Sequence, residues 1–200
     1  MLRVALTGGL ACGKSVCGRC FAGHGAAVID ADEVAHALLM PGQAVCDEVI
    51  AAFGPEIVAG NGGVDRRLLG KLVFDDPAAR RRLNGLMHPA VLAALERWAG
   101  GCKACDERVV IAQIPLLYEV AQASAWQRVV CVVAPDAAVM SRLLERGLSE
   151  DEARQRLAAQ WPVMDKMERA DYVIYNAGTE DLLMEQVARV WRCLRSEAYD

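Results

Sequence analysis

No run of about 18 apolar residues occurs anywhere in the chain, which excludes a membrane-spanning helix. Internal repeats and low-complexity tracts are also missing, so neither a repeat array nor a long disordered linker is expected. An excess of positive charge is lacking too. Lys and Arg number 22 against 26 Asp and Glu, a formal net charge of −4, and the pI is about 5.5. That balance argues against broad binding to nucleic acid. The local clusters Arg66-Arg67 and Arg80-Arg81-Arg82 still leave room for an anionic small molecule. The first apolar run begins at Leu2, so no signal peptide is expected before it. What remains is a chain of 200 residues, 54% hydrophobic, with a mean hydropathy of +0.18. Those values suit one globular domain with a well-buried core and, at most, a small insertion.

Eight cysteines stand out against that background. Cys17-x-x-Cys20 and Cys102-x-x-Cys105 have the local spacing of a zinc or redox pair. The simpler reading is reduced thiols that fill space. Positions 17 and 20 share a face of one expected helix, and 102 and 105 lie in a polar link before a strand. So many free thiols predict a reducing, cytoplasmic location.

Residues 8 to 15 read Gly-Gly-Leu-Ala-Cys-Gly-Lys-Ser, a complete G-x-x-x-x-G-K-S phosphate loop. Gly8 and Gly13 allow the torsions that turn successive N–H groups inward around a triphosphate, with Gly9, Leu10, Ala11 and Cys12 between them. Lys14 brings a positive charge to the β- and γ-phosphates, and the Ser15 hydroxyl can ligate Mg²⁺. The context agrees: Leu2–Thr7 reads as a buried parallel strand, and Ser15–Ala22 starts a helix whose N-terminus favours an anion. The pattern predicts binding of a nucleoside triphosphate.

Apolar, β-rich runs recur at Leu2–Thr7, Ala27–Asp30, Arg108–Ile114, Arg128–Val133 and Tyr172–Tyr175, with helical patterns between them. The alternation predicts an α/β fold, a five-stranded parallel sheet wrapped by helices. The interval between the second and third strands is too long for one crossover. It carries helical patterns at Glu33–Leu39, Ala44–Phe53, Arg66–Val73, Ala78–Leu86 and Ala90–Ala99, with a loop or turn at Pro55–Gly63. We therefore expect a core of 1–31, 106–141 and 170–200, a helical insertion of about 32–105, and a lid of about 142–169. In the lid, Ser149 and Glu152 form a capping box that starts a helix near Glu150. Arg142, Arg146, Arg154 and Arg156 lie on two helices joined at Gly147. Any one of them can be an ordinary solvated ion-pair partner, but a hinge with arginines also suits a lid over a transferred phosphoryl group.

The guanine-reading Asn-Lys-x-Asp of a GTPase is absent, as is an ABC-type signature. Instead the second strand ends in Asp30-Ala31-Asp32, two carboxylates where open α/β sheets bind ligands. One can accept a proton from an attacking hydroxyl, and either can help to hold Mg²⁺. The plainer reading of Asp32 is an N-cap for a helix starting at Glu33.

Together these segments resemble the dephospho-CoA kinase family along nearly the whole chain. The resemblance rests on Leu6–Ser15, Asp30–His36, Asp65–Phe74, Leu83–Pro89, Ile114-Pro115-Leu116-Leu117-Tyr118-Glu119, the lid and Ala170–Thr179, in that order. It implies a P-loop kinase fold and ATP-dependent phosphorylation of the ribose 3′-hydroxyl of dephospho-CoA, the last step of coenzyme A synthesis. By position it makes Asp32 the general base or hydroxyl-orienting group and a possible Mg²⁺ ligand. Lys14 stabilises the γ-phosphoryl, Ser15 ligates Mg²⁺, and Arg142 and Arg146 are lid arginines. His88, Pro89, Arg66 and Leu117 are assigned to the acceptor, and Asn176 lies near the adenine of ATP. ATP and dephospho-CoA are the expected partners, with no nucleic acid and no membrane.

Four positions depart from the family pattern. Ala11 and Cys12 stand inside the loop, where a thiol is expected to be modifiable beside the phosphates. Gln113 replaces an acidic residue before Ile114, shifting weight as a metal ligand onto Asp32. Val16 follows Ser15 in place of Thr, with little consequence expected. Competing readings are another P-loop small-molecule kinase, which leaves the subdomain motifs unexplained, and a nucleotide-dependent binding protein without phosphoryl transfer.

Overall fold

A computed structural model describes residues 1–74, 76–104, 108–120 and 123–199. Strand β1 (Leu2–Gly8) is followed by α1 (Lys14–Gly23), β2 (Ala27–Asp30), α2 (Ala31–Leu38), α3 (Ala44–Phe53), α4 (Arg66–Phe74) and α5 (Pro77–Ala104). Then come β3 (Val109–Gln113), β4 (Arg128–Val133), α6 (Asp136–Glu145), α7 (Glu150–Ala158), α8 (Val163–Glu168), β5 (Tyr172–Tyr175) and α9 (Glu180–Glu197). The chain divides into two compact units, 1–30 with 99–200, and 31–98. The expected boundary at 105/106 and Cys105 itself lie outside the described residues.

In the first unit the strands form one parallel sheet in the order β2-β3-β1-β4-β5. The three central strands are near-continuous apolar runs because helices cover both of their faces, and every residue of β3 is buried. After α1 the chain moves to one side of β1, and at β4 it crosses to the other. The C-terminal end of β1 is thus the point where strand order reverses, the place where α/β sheets bind ligands. The phosphate loop begins there. Phe21 and Cys17 of α1 share one apolar core with Val4, Leu6, Val130, Val132 and Ile174. Helix α9 adds Leu183, Val187, Val190, Trp191 and Leu194, the i, i+4, i+7, i+8, i+11 stripe of a helix with one buried face.

The second unit has its own smaller core of Val45, Cys46, Val49, Ile57, Val64, Leu69 and Met87. The Pro55–Gly63 segment is a turn, beginning with a short 3₁₀ helix and closed by the antiparallel bridge Val58↔Val64. Two details differ from the sequence reading. Helix α2 starts at Ala31, so Asp32 is in its first turn with Glu33 and does not cap it. The favourable position of carboxylates near a helix N-terminus accounts for this equally well. The patterns at 78–86 and 90–99 are one helix, α5, with Pro89 inside it. An interior proline costs about 3 kcal/mol or more. Leu83, Leu86 and Met87 before it and Ala90 and Val91 after it all pack on the same core, which holds the helix together across the break. Among the described residues no helix is long and apolar enough to cross a membrane.

Candidate active site

The loop from Gly8 to Ser15 is held almost atom by atom. Gly8 has φ 141° and Gly13 φ 105°. A Cβ on Gly8 would sit 2.0 Å from the Val132 carbonyl oxygen, and one on Gly13 2.4 Å from Asn176 Nδ2. Both positions need glycine, for torsion and for space. Ala11 has φ 54°, an uncommon conformation for a residue with a side chain.

Side chains then fix the loop's carbonyl groups. Asn176 Nδ2 donates to Cys12 O at 2.9 Å, and Arg142 Nη1 donates to Ala11 O at 3.1 Å. Cys12 Sγ donates to Gly9 O at 2.8 Å, and Lys14 Nζ donates to Gly9 O at 2.7 Å and Gly8 O at 3.2 Å. In a trans peptide the N–H points opposite to its carbonyl. With these four carbonyls turned to donors, the N–H groups of Gly9, Leu10, Cys12 and Gly13 face the other way. Helix α1 follows directly, its first turn closed by Val16 N–H and Cys17 N–H to Gly13 O at 3.0 and 3.1 Å. Ser15 is exposed in that turn. Backbone N–H groups freed from the loop's own bonds, a helix N-terminus and an ammonium group are the donors that suit a polyphosphate.

Two loop assignments change in character. The Cys12 thiol is only 1% exposed and lies in the core below the loop. Burial pushes its pKa up, against the opposing pull of Lys14 and Arg142. The expected modifiable thiol beside the phosphates is therefore wrong, because the side chain points inward to Gly9 O. Asn176, assigned to the adenine, is buried with its amide engaged on the loop itself.

The two arginines assigned to the lid differ in their surroundings. Arg142 is half-buried, in the last turn of α6, and reaches the loop at Ala11. Arg146 follows α6 as its exposed C-cap. The turn at Gly147 is a Schellman motif, with Leu148 N–H on Leu143 O and Gly147 N–H on Leu144 O. Arg154 is spent on an exposed i,i+4 pair with Glu150, and the Ser149–Glu152 capping box forms as expected.

Asp30 ends β2, half-buried and in register with Gln113 of β3. The Gln113 side chain is buried against Gly18 of α1, whose missing Cβ makes room for it. Leu117 is fully buried, so it serves as packing, whereas its neighbour Leu116 is 41% exposed. In the helical unit, Asp32 is exposed in the first turn of α2, and Arg66 is exposed at the start of α4. His88 and the exposed Pro89 lie side by side in α5, and burial lowers the His88 pKa, which favours its neutral form.

The family model for dephospho-CoA kinase matches residues 2–181. The chain belongs to the dephospho-CoA kinase family. It is 40% identical over 190 residues to the dephospho-CoA kinase of Geobacillus kaustophilus, covering 94% of each chain. The crystal structure of TT1252 from Thermus thermophilus aligns at a TM-score of 0.82 with 30% identity, over 98% of this chain and 97% of that one. The dephospho-CoA kinase from Campylobacter jejuni shares the fold at a TM-score of 0.72, with 23% identity over 95% of each chain. Two residues with buried polar contacts, Glu119 and Lys166, are given no role by the sequence reading. Glu119 lies in a matching segment without an assigned role. Lys166 lies in Val-Met-Asp-Lys-Met-Glu, a segment the sequence reading places in the lid without singling out any residue.

Proposed function

We infer that this chain transfers the γ-phosphoryl group of ATP to the ribose 3′-hydroxyl of dephospho-CoA, giving coenzyme A and ADP, the final step of CoA biosynthesis. The observation that carries this reading is the family match across residues 2–181, in a chain whose phosphate loop has four of its carbonyls held by side chains. The substrates are the two small molecules, and the compartment is the cytoplasm.

The N–H row of the loop and the N-terminus of α1 take the β- and γ-phosphates, and Lys14 moves from its loop carbonyls to their oxygens. As the acceptor oxygen bonds to the γ-phosphorus, the bond to the bridging oxygen breaks and that oxygen leaves with ADP. Charge spreads over the transferred group, where fixed donors stabilise it more than in the ground state. Arg142, already at the loop, is the nearer lid arginine, and Arg146 is the outer one. Asp32 accepts the hydroxyl proton and aims the oxygen.

The donors present fit Mg²⁺, which takes hard oxygen ligands and usually shares them with substrate phosphates. The Ser15 hydroxyl is exposed in the first turn of α1, and carboxylates stand at Asp30 and Asp32. Among the described residues no three acidic, His or Cys side chains gather into a cage. When bound, Mg²⁺ would neutralise phosphate charge. His88, Pro89 and Arg66 make the helical unit of about 32–105 the acceptor-binding part, and 142–169 the lid. An ADP-release assay over a panel of acceptors tests the whole reading. ADP should form with dephospho-CoA and not with nucleoside monophosphates or shikimate; release independent of dephospho-CoA would overturn it.

A further inference from the structure

Lys166 is the one lysine of the described residues that is completely buried, with 0% of its side chain exposed. Its ammonium group is fixed by two oxygens, Glu119 Oε1 at 2.6 Å and the Pro115 carbonyl at 3.1 Å. Glu119 Oε1 also accepts from the Trp161 backbone N–H at 2.9 Å, and the Trp161 ring stacks on Tyr118 with centroids 6.1 Å apart. Two stretches far apart in sequence are thus tied twice: the turn that leaves β3, residues 115–119, and the end of the lid, residues 161–166.

This tie reaches the phosphate loop. Val163, in the first turn of α8, has its Cγ2 only 3.4 Å from where a Cβ of Gly9 would be. The Pro115 carbonyl that holds Lys166 follows Ile114, whose N–H bonds to Leu6 O of β1, the strand that feeds the loop. A buried ion pair is a poor source of stability, since apolar residues of the same volume often serve as well or better. Its distinctive property is direction: an ammonium group on two fixed oxygens permits one placement of its helix.

We propose that Lys166 and Glu119 are positioning residues, a buried latch that seats α8 against Gly9 and so holds the phosphate loop in register with the turn after β3. Neither side chain touches the reacting atoms. Latching the root of the lid lets its outer helices move while the floor beneath the nucleotide stays fixed. Misplacement of reacting groups by about 1 Å can cost on the order of 10²-fold in rate, so loosening the latch affects ATP and the transfer step and spares dephospho-CoA binding.

The proposal rests on the kinase reading above, and one assay separates the two. The main variant is the double Lys166→Met/Glu119→Gln, which leaves no lone buried charge and keeps an acceptor for Trp161 N–H. We expect a folded protein whose kcat falls by about 10- to 100-fold and whose KM for ATP rises, while the KM for dephospho-CoA stays within about two-fold. Each single variant should lose about as much as the double, the non-additivity of two halves of one device. A folded double variant with wild-type kcat and KM for ATP overturns the latch. So does a variant that only melts earlier and keeps wild-type kinetics below its melting point, or one that is unfolded at every assay temperature, since the pair is then a stability element. An inactive wild-type protein would instead sink the kinase reading.

Discussion

The phosphate loop and the helical unit of 31–98 are built on opposite principles. In the loop nearly every residue has a fixed backbone job. Gly8 and Gly13 admit no side chain, and Asn176, Arg142, Cys12 and Lys14 each hold a carbonyl. The helical unit is held by a shared apolar cluster, and its assigned residues Asp32, Arg66 and Pro89 stand exposed on helices. The first region is specified by torsion and hydrogen bonding, so few sequences satisfy it. The second is specified by burial, which many sequences satisfy while leaving the exposed positions free to carry specificity. Changes in the loop should therefore impair handling of any nucleotide, whereas changes in the helical unit should act through the acceptor.

The largest effect should come from the one proposed catalytic group in the helical unit. Asp32→Asn is nearly isosteric and can still accept a hydrogen bond, but it loses charge and basicity. Turnover should fall by about 10²–10⁴-fold, the usual range for a general base. ATP affinity should hold and the melting temperature should change little, since the charge lost is that of an exposed carboxylate in the first turn of α2. Asp30→Asn should cost less. Normal single-turnover rates in Asp32→Asn with none in Asp30→Asn would move the chemistry to the end of β2.

Lys14→Ala tests the other region. Losing a preorganised donor to developing phosphate charge costs about 10²–10³-fold. Lys14 also bonds to Gly8 O and Gly9 O, so ATP affinity should weaken as well. That joint loss is the signature that Asp32→Asn should lack. A folded Lys14→Ala protein with near-normal turnover would refute the role given to the loop.

What the sequence made legible follows the same division. G-x-x-x-x-G-K-S between an apolar strand and a helix is readable because its torsions demand those residues. The five strands were readable because burial on both faces leaves unbroken apolar runs. The supports of the loop were not readable. Asn176 and Arg142 reach it from 164 and 131 positions away, and nothing local in sequence encodes such a bond. Leu117 looked like a contact residue, yet in a turn between buried elements one of two adjacent leucines faces inward, and periodicity alone cannot say which. Pro89 suggested a break in α5 because local propensity opposes an interior proline, and packing on both sides of it prevailed.

The lid arginines should give intermediate effects, and unequal ones. Arg142 already bonds to the loop at Ala11, while Arg146 is exposed beyond the end of α6. Arg142→Ala should slow single-turnover transfer by about 10- to 100-fold, and Arg146→Ala by less, because both act on charge that develops during transfer. Equal losses would mean that the lid closes far enough to bring both inside. Unchanged rates in both would remove the lid from the mechanism.

The smallest effect should come from the thiols, and it bears on how tightly the loop is packed. Burial pushes Cys17 and Cys131 up to about 12 and raises Cys12 as well. A raised pKa means less thiolate at a given pH. At pH 8 a thiol of pKa 12 is ionised to about 1 part in 10⁴, against roughly a quarter for a free cysteine of pKa 8.5. Cys193 is exposed, and Cys20 and Cys102 are half-buried. An alkylating reagent at pH 8, read by mass spectrometry of peptides, should label Cys193 first, then Cys20 and Cys102 slowly. Cys12, Cys17, Cys46 and Cys131 should react only after unfolding. Turnover should be little changed once Cys193 is fully labelled, since that residue lies on α9, away from the loop. Labelling of Cys12 in the folded protein, faster than global unfolding, would show that the loop opens by itself. The tight bracing that distinguishes it from the helical unit would then be absent in solution.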